Sequence, residues 1–183
     1  MKELRKDYLL IAVFISNMLF TVGYPTIQEV TMKAVNSQLI SLNSLIGCLS
    51  VVVAGKVWDK IEDKMMKLFP LFAIGDIVTY TILVIAFWIT KDAVMYYIVL
   101  MLIACLTIKN VGFGLSIIKS KRYNGKARAK FDNNEAVLGN IASVIGFGIG
   151  ALVKIPIELG LAFMLMGTFI ENIFYVKAYK EIK

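Results

Sequence analysis

The feature that most constrains this chain is a series of six stretches, each near the length of a bilayer crossing, from which charge is almost missing. A helix needs about 20 predominantly apolar residues to cross a hydrocarbon core roughly 30 Å thick. Residues 8–28, 34–55 and 136–153 hold no charged side chain. Residues 68–90 hold only Asp76, and 93–118 hold only Lys109. Residues 155–176 hold Glu158 near the start and Glu171 near the end. The expected fold is therefore all-α: one polytopic membrane domain over residues 1–183, with six transmembrane helices at these positions. Composition agrees. The 183 residues are 58% hydrophobic and 18% charged, against roughly 25% charged in a soluble domain. That leaves too little polar surface to cover a water-soluble core. Residues 1–23 have the basic start and apolar stretch of a signal peptide. Their apolar run is too long and has no small-x-small cleavage site, so they read as the first retained helix.

The chain contains no histidine. This excludes histidine-based catalytic triads, HExxH zinc sites and histidine-ligated haem. Cys48 and Cys105 both lie in apolar runs and are too few for a four-thiolate zinc site. Intramembrane peptidases of the Cys–His type are excluded by the same lack of histidine. Lipid head-group transferases need a cluster of aspartates that the polar segments do not have. No enzymatic activity, cofactor or metal is expected.

Lysine and arginine fix the orientation. With the N-terminus inside, inner segments hold Lys2, Arg5 and Lys6, then Lys56, Lys60, Lys64 and Lys67. The basic segment 119–135 adds six more, and Lys177, Lys180 and Lys183 close the chain. Outer segments hold only Lys33, Lys91 and Lys154. Both termini are thus expected on the cytoplasmic side of a plasma membrane, the cytoplasmic membrane of a prokaryote. The net charge of +7 follows from this topology and does not point to nucleic acid, which would need a soluble element to present it. Very short outer connections at 91–92 and at Lys154 set the chain out as three helices plus three. Pro156 suits the first turn of the sixth helix.

The polar residues inside the apolar runs are the candidate site. Lys109 lies about 15 Å in from Lys119 and Asp76 about 14 Å in from Lys67, at 1.5 Å per residue. They are expected at matching depth on antiparallel neighbours, as a structural ion pair or as a substrate- or proton-binding pair. Asn110 follows Lys109. Glu171, beside Asn172, is a second protonatable candidate. Asn17, Thr21 and Tyr24 share one helix face and form a polar stripe. Gly139, Ala142, Ser143, Gly146 and Gly150 form a smooth face suited to close helix packing or a dimer contact.

The segment Gly55-Lys56-Val57-Trp58-Asp59-Lys60-Ile61-Glu62-Asp63-Lys64 resembles the signature loop of the major facilitator superfamily, G-x-x-x-D-[R/K]-x-G-[R/K]-[R/K]. Gly55, Asp59, Lys60 and Lys64 match, whereas Glu62 and Asp63 depart from the pattern. Lys109-Asn110-Val111-Gly112-Phe113-Gly114 is similar to the family's basic residue followed by two glycines, one residue short. The resemblance implies a gating role for Gly55, Asp59, Lys60 and Lys64. It implies a cavity lined by helices one and four, and a glycine-rich fifth helix. Family members have twelve helices in two halves. A six-helix chain is then expected to move a small solute by alternating access as a parallel homodimer. The alternative is a membrane subunit, solute-binding or of an accessory or immunity kind, that needs a different partner protein.

Overall fold

The computed structural model describes residues 7–34, 36–92 and 107–183, and the side chains of these except at 26, 27 and 30–34. Within them lie five helices: α1 Tyr8–Ala34, α2 Ser37–Thr90, α3 Lys109–Arg122, α4 Gly125–Leu152 and α5 Ile157–Ile182. No strand occurs among the described residues. Four of the helices, α1 over Tyr8–Pro25 together with α2, α4 and α5, are long and apolar enough to cross a membrane. Many large apolar side chains also face outward, Ile89, Val144 and Leu152 being 77%, 72% and 88% exposed. Such surface is unfavourable in water and natural against lipid. The chain is a membrane protein with an all-helical fold.

The elements differ from the expected six. Helices at 34–55 and 68–90 were expected with a polar loop between them; both belong to α2. The charged stretch 56–67 has neither glycine nor proline after Gly55 and is rich in Lys and Met, good helix formers. Helical structure therefore runs through it, and only Ile61 leaves helical dihedrals, with φ −138° and ψ 40°. That one residue folds the helix sharply. Trp58 and Phe72 have ring centroids 6.4 Å apart, although 14 residues span about 21 Å along a straight helix. The expected basic loop 119–135 is likewise mostly helix. α3 runs to Arg122, Tyr123 and Asn124 form the connection, and α4 begins at Gly125. Ala127, Arg128, Ala129 and Lys130 favour helix, and Arg128 Nε donates to both carboxylate oxygens of Asp132 at 2.9 and 2.8 Å. Gly125 has φ +48°, a conformation glycine adopts without strain. Of the expected helix at 93–118, residues 93–106 lie outside the described residues. α1 and α5 extend beyond their expected ends, 28 and 176, to Ala34 and Ile182.

The chain divides into two compact units, Met1–Glu29 with Ile118–Lys183, and Val30–Ile117. In the first, α1 is the common partner of α4 and α5, and small residues set the approach. A Cβ added to Gly146 would overlap Thr21 and lie 2.7 Å from the Met18 carbonyl oxygen. One added to Gly150 would meet the Val22 carbonyl oxygen at 3.1 Å. On the other side, Gly160 faces the backbone of Gly23, and Gly167 faces Phe20 and Ser16. Close backbone approach through small residues is the usual way helices pack in lipid. In the second unit, the two arms of α2 meet the start of α3. Phe69 and Trp58 close over Gly114, Phe113 lies against Gly55, and Trp58 Nε1 donates to Asn110 Oδ1 at 2.9 Å.

Candidate functional site

Within the first unit, α1, α4 and α5 line an open polar cleft of about 370 Å³. Its wall is Val13 and Asn17 from α1, Glu135, Ala136, Gly139, Asn140 and Ser143 from α4, and Glu171 and Tyr175 from α5. The spacing explains the assembly. On α4, 135, 139 and 143 are successive i,i+4 positions, and 136 and 140 lie on the adjoining ridge. On α5, Glu171 and Tyr175 are again i,i+4. On α1, Val13 and Asn17 repeat the same step. Asn17 reaches the wall because α4 has no side chain opposite it: a Cβ on Gly139 would lie 2.9 Å from Asn17 Nδ2.

The cleft lies towards the charged ends of these helices: Glu135 directly precedes the apolar run 136–153, Glu171 is about 9 Å in from Lys177 and Asn17 about 15 Å in from Asp7, by helical rise. A charge inside an apolar run, as Glu171 is, is expensive unless it is partnered or faces a polar cavity. Glu135 accepts an ion-paired hydrogen bond from Lys119, whose ammonium also lies 5.5 Å from the Phe131 ring centroid. Glu171 accepts from the Tyr175 hydroxyl. Ser143 Oγ donates to the Gly139 carbonyl oxygen at 2.9 Å. The wall therefore offers two carboxylates, two amides, a phenol and a serine oxygen among apolar helices, a set suited to hold a small polar solute.

The end of this unit is tied together by polar contacts. Arg122 donates to both Glu181 and Tyr8, and Tyr8 donates to Glu181 at 2.7 Å. Tyr123 donates to Asp7 and stacks on Phe131 with centroids 4.4 Å apart. Burial first, and then the hydrogen bond to Asp7, push the Tyr123 phenol above its ordinary range. Tyr8 lies between two cations, with the Arg122 guanidinium 4.7 Å and the Lys177 ammonium 4.4 Å from its ring.

Of the residues expected from sequence, Asn17, Glu171 and Gly139 come together in this cleft. Thr21 bonds to its own helix, donating to the Asn17 carbonyl oxygen at 2.7 Å. Tyr24 is exposed and meets Phe147 edge-on, with centroids 6.3 Å apart. Gly139, Gly146 and Gly150 face α1 within the same unit, so this face is taken by an intrachain contact and is not open to a dimer. Glu135, Asn140, Ser143 and Tyr175 were missed as site residues. The i,i+4 pairs 135/139, 139/143 and 171/175 were the available signal.

Asp76, Lys109 and Asn110 belong to the second unit. Asp76 is buried at 7% exposure and accepts from Thr107 Oγ1 at 3.2 Å. Lys109 follows Thr107 by two residues, about half a helical turn. Among the described residues no ion pair joins Lys109 to Asp76. Asn110 takes the Trp58 hydrogen bond and borders an apolar groove of about 380 Å³ with Ile46, Leu49, Val53 and Met65. The expected gating segment is helical. Gly55 packs against Phe113, while Asp59, Lys60 and Lys64 are exposed on α2 around the fold at Ile61. Among the described residues no three His, Cys, Asp or Glu side chains converge as metal ligands.

Comparison with family models, with curated proteins and with solved structures gives no match.

Proposed function

We propose that this chain is a six-span membrane transporter of a small solute, built as one half of a major-facilitator-type carrier and working as a parallel homodimer by alternating access. The polar cleft of the first unit carries this reading. A wall of Asn17, Glu135, Asn140, Ser143, Glu171 and Tyr175 between apolar helices is more polar than packing alone requires, since apolar residues would fill the space more favourably. The fold of α2 at Ile61 lets Ser37–Thr90 supply two crossings, and the apolar run 93–118 of the sequence is the expected further one. The stripe Val137, Ile141 and Val144 on α4 is exposed and is the proposed contact between copies.

A bound solute raises stability by mass action, by about 2.7 kcal/mol at 100 times its Kd. A panel of small polar and charged solutes is therefore screened for an increase in Tm of the purified protein. Hits are expected to lose their effect in Glu171→Gln and Asn17→Leu and to be taken up by proteoliposomes. A hit that stabilises both variants as well as the unchanged chain places binding elsewhere and removes the cleft from the reading.

One observation favours a second reading, a solute-binding or accessory subunit with a different partner protein. The cleft is formed inside one unit of a single chain, as a capturing subunit requires. Binding without uptake in proteoliposomes holding this chain alone supports that alternative.

A further inference from the structure

Among the described residues, one end of the first unit gathers nine basic side chains, between Lys119 and Lys130 and between Lys177 and Lys183, against four acidic ones, Asp7, Asp132, Glu135 and Glu181. The acids are engaged internally. Asp132 is held by Arg128, Glu135 by Lys119 and Glu181 by Arg122 and Tyr8. Asp7 accepts from the Tyr123 hydroxyl and from the Leu9 N–H. The excess charge is left on Lys126, Lys130, Lys177, Lys180 and Lys183, all exposed. The Tyr123–Asp7 and Arg122–Glu181 contacts bring the start of α1, the α3–α4 connection and the end of α5 to one place, so these lysines surround one end of the unit.

Their height relative to the apolar surface is set by the helices. Val137 on α4 and Ile173 on α5 are 49% and 47% exposed and belong to the outward apolar surface. Lys130 is about 10 Å beyond Val137 and Lys177 about 6 Å beyond Ile173, by helical rise. That is the headgroup layer of a bilayer whose hydrocarbon ends near those residues. Lys177 is also held in place, with its ammonium over the Tyr8 ring.

We propose that this end of the unit is a binding surface for anionic phospholipid headgroups, with Lys126, Lys130, Lys177 and Lys180 as the phosphate-contacting groups. Orientation in the membrane needs only an excess of basic residues on one side. Selective lipid binding needs them exposed, outside the ion pairs of the chain and level with the headgroups, and that is their arrangement.

The full chain is placed in nanodiscs of phosphatidylglycerol and phosphatidylcholine, and the lipids retained on the released protein are counted by native mass spectrometry. Phosphatidylglycerol is expected to be enriched over its share in the bilayer. The enrichment should fall at least fivefold in K126Q/K130Q/K177Q/K180Q, from a surface attraction of this strength per lysine. It should survive in the matching Lys→Arg variant. In the unchanged protein, raising the salt should weaken it, as screening requires. No enrichment in the unchanged protein, or the same enrichment in the glutamine variant, overturns the proposal. Displacement of the lipid by millimolar inorganic phosphate also overturns it, because the surface would then be a free-anion site.

Discussion

Gly146 and Gly148, two residues apart on α4, have opposite surroundings. A Cβ at Gly146 would overlap Thr21, while one at Gly148 would meet nothing within 4 Å. Gly146→Leu is therefore expected to cost about 1–3 kcal/mol or more, the range for overpacking, and Gly148→Leu close to nothing. Thermal unfolding of the two variants in detergent distinguishes them. Tyr123 carries a pH prediction. Its raised phenol pKa means that its contribution to stability is complete below the unfolded-state value of about 10 and is lost as pH rises past it. The Tm difference between the unchanged chain and Tyr123→Phe should thus be full at neutral pH and shrink in strong alkali. The candidate site was partly legible at this scale. Asn17 and Glu171 are polar side chains in apolar runs, and that contrast marks them. Glu135 was hidden because it closes a basic segment in the sequence, and only the start of α4 at Gly125 turns it inward.

Among the elements, α2 departs furthest from a sequence-based expectation. Charge marked 56–67 as a loop, but charge does not break a helix; backbone geometry does, and the segment has no residue that forces a break. The change of direction comes from one residue, Ile61. Ile46 and Met65 border the same groove, whereas a straight helix would hold them about 28 Å apart. Spin labels at these two positions, with Cys48 and Cys105 replaced, should report a distance well under that value; a distance at or above it contradicts the fold. Trp58→Phe removes the hydrogen bond to Asn110 that joins α2 to α3. It should lower stability by about 1 kcal/mol, the ordinary net worth of such a bond, as read in a denaturant midpoint. The glycine-rich helix was legible as a packing element. Its partner was not, because a smooth face fits α1 of the same chain as well as a second copy.

For the whole molecule, the membrane character was legible from composition and run length, because exclusion of charge over about 20 residues has few other causes. Helix count was less secure, since the charged segment 56–67, which hydropathy marks as a break, is helical on both sides of the fold at Ile61. The proposed carrier also depends on a second half, which one sequence cannot supply. The direct measurement is the mass of the intact particle, released from membrane nanodiscs and weighed by native mass spectrometry. The account predicts a particle of two 20.4 kDa chains. A single chain, or one chain bound to a different protein, contradicts the homodimeric carrier.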